Sequence, residues 1–280
     1  MSRRRLRIGQ SADPDDAFMA WGLEAQLAAR DLEAEMIFDD IQSLNLAALR
    51  GELDLTAISV GAYPELADNY RLLRCGASFG DVYGPLVITT EAQAEVGPQA
   101  LSGMRVAIPG AHTSARMLLR IYAGDSYEEV QIPFDRIMDA VLNGDVDAGL
   151  IIHEGQLTFE EQGFHALFEP AAAWTRAEQL PVPLGVVAVR RDLPADIQQD
   201  AADAFLHGIH AGFEDMDSAL DFAAGYARGL SRDVLEEYVS RYVNASTLDM
   251  GDSGIRAISR LFELAAERGM IATAPVVDPL

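Results

Sequence analysis

Twice along this chain, short apolar runs alternate with stretches of helical pattern, and that alternation limits the folds open to it. Leu6 to Gly9 reads as a strand. The turn residues Ser11, Asp13 and Pro14 follow, then a helical stretch from Asp15 to Arg30 with Phe18, Leu23 and Leu27 on its core face. A strand at Glu35–Phe38, a helix at Ile41–Arg50 and a strand at Leu53–Ser59 complete β-α-β-α-β, which predicts a parallel α/β layer. The second series begins near Met104. It has a strand to Ile108, the Pro109-Gly110 breaker, a helix at Thr113–Tyr122, a strand at Glu129–Ile132, a helix at Phe134–Leu142 and a strand at Val146–Ile152.

Strands at Leu86–Thr90 and Gly185–Arg191 bracket the second series, as a double crossover between two domains would require. We expect a first α/β domain from residues 1–90 plus 186–280 and an inserted second one from 91–185. Beyond Arg191 the pattern is helical only. Ile197, Ala201, Phe205, Ile209 and Phe213 trace one apolar stripe, and further helices are expected at Ser218–Arg228, Arg232–Tyr242 and Ser253–Arg268.

Charge narrows the function. The chain of 280 residues has 44 acidic and 21 basic side chains, for a net charge of −23, and every basic residue is Arg. Without Lys there is no Schiff base, no covalent pyridoxal phosphate and no P-loop lysine. Nucleic acid is an unsuitable partner for so acidic a chain, and Arg3, Arg4, Arg5 and Arg7 read as a frayed terminus. The single cysteine, Cys75, excludes an intramolecular disulfide and Cys-rich metal sites, and reads as a small core residue. No run approaches the length of a membrane span and the first ten residues hold no apolar leader core, so a cytoplasmic protein is expected.

In open α/β sheets ligands collect beyond the carboxyl ends of the strands. Those positions hold Ser11 to Asp16, Ser59 to Gly61, His112 to Ala115, and His153-Glu154, four groups that two facing layers would gather round one cleft. His153 follows an apolar run and precedes Glu154 and Gly155. Its imidazole, the side chain suited to proton transfer near neutral pH, is either a general base or a ring bonded only to loop backbone. Thr113 and Ser114 open a helix and serve either as a plain N-cap or as a carboxylate or phosphate site. Asp13, Asp15 and Asp16 have the wrong spacing for an EF-hand and suit a helix start, so we expect no metal. His207 and His210 are expected to face solvent. The chain lacks Gly-x-Gly-x-x-Gly after its first strand, Gly-x-Ser-x-Gly and His-Glu-x-x-His, which favours a cofactor-free cleft.

Taken together these segments resemble a known family. Ser11-Ala12-Asp13-Pro14-Asp15-Asp16-Ala17-Phe18, Asp40 to Asn45, Gly51 to Ser59, Gly84-Pro85-Leu86, Ile108-Pro109-Gly110, Thr113-Ser114-Ala115, Gly149 to Glu154, Pro181 to Gly185 and Tyr242-Val243-Asn244 occur in the order found in the 1,4-dihydroxy-6-naphthoate synthases of menaquinone biosynthesis by the futalosine route. The Ile151-Ile152-His153-Glu154 segment is the most specific of them. The resemblance implies a two-domain fold like the type II periplasmic binding proteins and a cofactor-independent carbon–carbon lyase acting on cyclic dehypoxanthine futalosine. It also implies His153 as catalytic base, with Asn45, Ser59, Thr113, Ser114 and Ala115 at the substrate. Ala12 replaces the usual Pro, and Asp15-Asp16-Ala17 replaces the commoner Asn-Asp-Thr. Alternatives are a transporter's solute-binding protein and a sister enzyme such as chorismate dehydratase. An anionic aromatic carboxylate substrate would further require a cleft less negative than the chain as a whole, with carboxylates kept to the outer faces.

Overall fold

The computed structural model describes residues 4–81, 83–92, 96–153 and 155–280. Among these residues two sheets hold the strands. The first sheet begins with β1 (Arg4–Ser11), α1 (Pro14–Ala20), α2 (Leu23–Ala28), β2 (Leu32–Asp39), α3 (Ile41–Leu49) and β3 (Leu55–Ser59). A short α4 (Tyr63–Leu66) then leads to β4 (Tyr70–Leu72) and β5 (Ser78–Gly80). The second contains β6 (Leu86–Thr89), β7 (Arg105–Ile108), α5 (Ser114–Ala123), β8 (Glu128–Gln131), α6 (Ile137–Leu142), β9 (Ala148–Ile151), α7 (Gly155–Thr158) and β10 (His165–Phe168). After α8 (Pro170–Glu178), β11 (Val182–Arg190) returns to the first sheet. The helices α9 (Ala195–Glu214), α10 (Met216–Ala224), α11 (Arg232–Tyr242), α12 (Ala245–Leu248) and α13 (Gly251–Glu267) follow.

The strand orders are β2-β1-β3-β11-β4, with β5 also on β11, and β10-β6-β9-β7-β8. Within them β1, β2 and β3 are parallel, as are β7, β8 and β9, whereas β11 runs antiparallel to β3 and β6 antiparallel to β9. This polarity positions the site. The parallel strands β1, β3, β7 and β9 end where the antiparallel β6 and β11 begin, so strand ends from both sheets face one another.

Apolar clusters cover both faces of the first sheet. On one, Leu6, Ile8, Leu55, Val187 and Val189 pack with α1, α2, α9 and α10; on the other, Ile58, Val186 and Ala188 pack with α13 and with Met117, Leu118 and Ile121 of α5. The opposite side of α5, through Ala115 and Leu119, joins the core of the second sheet, so this helix is held from both sides. The stripe expected on α9 is there, with Ala201, Phe205 and Ile209 at 0% exposure.

Two expectations need correction. The helix expected at Asp15–Arg30 is two helices that part at Trp21–Gly22, where the chain passes so close to α9 that a Cβ on Gly22 would lie 2.7 Å from the Gly208 carbonyl oxygen. The arginines 4, 5 and 7 are not frayed. Arg4 is exposed at the start of β1, Arg5 and Arg7 occupy outward positions that alternate with buried Leu6 and Ile8, and Arg5 pairs with Glu33 and Glu35 of the neighbouring strand. Arg3 and Glu154 lie outside the described residues.

Candidate active site

A cavity of about 90 Å³ lies between the two sets of strand ends. Its walls include Ser11, Asp13 and Asp15 after β1, Ser59 after β3, Thr113, Ser114 and Ala115 at the start of α5, and His153 after β9. Tyr238 and Tyr242 of α11 close another side. Of Asn45, Ser59, Thr113, Ser114, Ala115 and His153, the residues expected at the substrate, only Asn45 does not line the cavity. It is fully buried behind the wall, where its amide donates to the Ser59 hydroxyl (3.0 Å) and accepts from the Ser59 N–H (2.9 Å), and so fixes that residue. His112 stands apart, bonded to Gln42 across the lobes, while His207 and His210 are exposed on α9.

His153 Nδ1 lies 3.1 Å from the Asp13 carboxylate, which is itself 1% exposed. The same carboxylate accepts the Ser11 hydroxyl (2.6 Å) and, as N-cap of α1, the Asp16 N–H (3.2 Å). Pro14 at the first helical position loses nothing there, since that N–H has no intrahelical partner. Burial alone would raise the Asp13 carboxyl, but the His153 ring and the hydrogen bonds from Asp15, Ser11 and the Asp16 N–H together hold it below the usual carboxylate range. With Nδ1 committed to Asp13, Nε2 is the other ring nitrogen, and it is buried without a hydrogen-bond partner among the described residues. The backbone of His153 is left-handed, with φ of 58°. The Gln156 amide accepts the His153 N–H (3.2 Å) and donates to the Gly84 carbonyl (2.7 Å). Against one face of the imidazole stands the edge of Phe134, with ring centroids 4.8 Å apart.

Ser114 ties the lobes together. Its hydroxyl donates to the Leu184 carbonyl at the start of β11 and accepts the Gly61 N–H (3.0 Å), while Thr113 caps α5 by accepting the Arg116 N–H (3.3 Å). Both hydroxyls are therefore engaged. What α5 offers a ligand is its first-turn N–H groups and the positive end of its dipole.

Carboxylates do not stay on the outer faces: three of them stand at this cavity, with oxygens within 4.8 Å of one another. Their protonation offsets the crowding. Burial first, and then the Asp13 charge, push the Asp15 and Asp16 carboxyls well above the usual range. Asp13, as partner of His153, and Gln156, Tyr238 and Tyr242 are among the site residues that sequence reasoning missed. The pair of tyrosines four apart on one helix was the available signal, but it also fits an ordinary core face.

Two α/β lobes joined by crossing strands, with the site between them, make this a protein of the periplasmic-binding-protein fold. The aliphatic sulphonate binding protein SsuA of Escherichia coli shares that fold at TM-score 0.66 and 15% identity, over 99% of this chain and 93% of that one. A much nearer relative is protein AF1704 of Archaeoglobus fulgidus, with TM-score 0.88 and 39% identity over 95% and 98% of the two chains. The chain belongs to the menaquinone biosynthesis family, which matches residues 6–267. It is 38% identical to 1,4-dihydroxy-6-naphthoate synthase of Thermus thermophilus over 271 residues, covering 96% of this chain and 97% of the relative. The corresponding figures for the Streptomyces coelicolor synthase are 35% over 284 residues, covering 100% and 98%. This chain is thus an enzyme of menaquinone biosynthesis. Among the described residues no helix is long and apolar enough to cross a membrane.

Proposed function

We propose that the enzyme is a carbon–carbon lyase that converts cyclic dehypoxanthine futalosine to 1,4-dihydroxy-6-naphthoate in the cytoplasm, with His153 Nε2 as general base. The observation that carries this reading is the Asp13–His153 pair, which commits Nδ1 and leaves at the cavity a buried Nε2 with no partner among the described residues. Nε2 removes a proton from the sugar-derived ring, Asp13 stabilises the imidazolium that forms, the ring opens, and aromatisation drives the reaction. The start of α5 binds the substrate carboxylate through its N–H groups, and Ser59, held by Asn45, orients an oxygen of the ring. The two lobes, one built on each sheet, close on the substrate and exclude water.

The test is incubation with cyclic dehypoxanthine futalosine and detection of the naphthoate by mass spectrometry. The wild-type protein forms it. His153→Ala still binds the substrate but turns it over at least about 100-fold more slowly, the range a positioned base supplies. Undiminished turnover in that variant removes the base assignment, and binding without product from the wild-type protein removes the reaction.

A further inference from the structure

Tyr242 takes no part in the reaction just described, yet it lines the same cavity as His153. It is the last residue of α11 and 6% exposed, and its ring is set by Tyr238 one turn back (centroids 5.0 Å apart) and by the edge of Tyr83 (5.3 Å). Its hydroxyl lies 3.2 Å from the side-chain amide of Gln156, another residue of the cavity wall. Two backbone groups decide which way that amide points. The His153 N–H is a donor and requires the amide oxygen (3.2 Å); the Gly84 carbonyl is an acceptor and requires the amide nitrogen (2.7 Å), which then meets the Tyr242 oxygen as well. The nitrogen has two hydrogens, and Gly84 and Tyr242 take both. The Tyr242 oxygen is therefore an acceptor toward Gln156, and its own proton has no acceptor among the described residues. A buried hydroxyl proton left unpaired is costly, so it calls for an acceptor that arrives with a ligand. Burial above all raises this hydroxyl well above the ordinary phenol range, so it keeps the proton; the other titratable groups that act on it are Asp15, Tyr83 and Arg241.

We propose, on the His153 reading, that Tyr242 is a second catalytic residue, whose hydroxyl donates a hydrogen bond to the substrate oxygen that becomes negative as the base acts. When Nε2 takes a proton from a carbon beside a carbonyl, the C–H electron pair passes toward the carbonyl oxygen and the proton to the imidazole. A neutral phenol on the buried wall stabilises that charge without reorganising, because Gln156 and the two flanking rings already fix it. The Tyr242 proton stays on Tyr242, so no second transfer is needed. One side chain sets the two groups relative to each other, since the Gln156 amide holds both the backbone of the base and the oxygen of the phenol.

The test pairs turnover with a titration that needs none. Tyr242→Phe removes only the hydroxyl and keeps the ring in its packing; its kcat falls about 10²–10³-fold, the usual loss for a donor to a developing oxyanion, with little change in KM. The second readout uses 5-hydroxy-2-naphthoate and 8-hydroxy-2-naphthoate, each of which keeps the carboxylate and one hydroxyl of the proposed product. Absorbance titration of the bound compounds shows at least one of them ionising about one pH unit or more higher in Tyr242→Phe than in the wild type, because the variant lacks a donor to the naphtholate. The same difference appears between His153→Ala and His153→Ala/Tyr242→Phe, so it is read whether or not His153 is the base. Wild-type kcat in Tyr242→Phe, or bound naphthols that ionise at the same pH with and without the hydroxyl, overturns the proposal.

Discussion

The Asp13 carboxylate caps α1 through the Asp16 N–H and also lies 3.1 Å from Nδ1 of His153, so one side chain starts a helix in the first lobe and orients a ring carried by the second. The two duties can be separated. Asn caps a helix as well as Asp does, but it presents no charge to an imidazolium and can turn an N–H toward Nδ1. Asp13→Asn should therefore melt close to the wild-type temperature while kcat falls on the order of 10²–10⁴-fold, with a changed pH profile. Circular dichroism melting and kcat across pH measure both, and a variant with wild-type kcat would sink the orienting role.

Asp15 gives stability a pH dependence of definite sign. Its carboxyl is held well above the usual range by burial and by Asp13, whereas the unfolded chain loses that proton near pH 4. Between those two values the native state binds more protons than the unfolded state, so this group's contribution to stability declines as pH rises. Asp16 contributes with the same sign in both proteins, and less in the variant, which lacks the Asp15 charge that helps to raise it. Asp15→Asn should accordingly melt near the wild type at about pH 4 and above it at pH 7. Melting curves that track each other at both pH values would contradict the raised carboxyl.

Gly61 marks a contact between the lobes that has no room for a side chain. A Cβ there would lie 2.9 Å from the Thr113 carbonyl oxygen and 3.0 Å from the Ser114 nitrogen, both backbone atoms. Gly61→Ala should cost about 1–3 kcal/mol, as overpacking does, and raise KM by loosening the seat of Ser114. Urea midpoints and steady-state kinetics check this; a variant unchanged in both would show that the lobes separate freely at this point.

Cys75 lies in the bend between β4 and β5, donates weakly to the Ala202 carbonyl (3.8 Å), and has its thiol pushed up to about 12 by burial. Iodoacetamide at pH 8 should label the native protein ~100-fold or more slowly than the urea-unfolded one. Mass spectrometry of timed samples provides the rates, and equal rates would mean that the bend opens readily.

The parts of this fold that show in the sequence are those whose periodicity agrees with their packing. Strand β1 shows as a short apolar run and helix α11 carries its stripe intact, and the stripe of α9 survives because one side of that helix packs on α1, α2 and β11. The break between α1 and α2 is silent, because the apolar pattern continues past it from Phe18 to Leu23 and Leu27, and Gly208, which Gly22 closely approaches, lies far along the chain. Strands β4, β5 and β10 have three or four residues each, too few to display a period. At the site, His153 and the Thr113-Ser114-Ala115 turn are visible because strand ends mark them. Asp13 reads as a helix cap, which it is; that it also holds an imidazole depends on which strand ends the topology brings face to face.

The left-handed backbone at His153 sets folding against chemistry at a single position. A non-glycine residue held there costs about 1–3 kcal/mol, which glycine would avoid. If His153 is the base, selection for robustness alone erodes the catalyst before the scaffold, and the descent from enzyme to a silent binding protein with the same cleft is downhill in folding free energy. On that reading, an imidazole kept at such a site is a record of continuous demand for turnover.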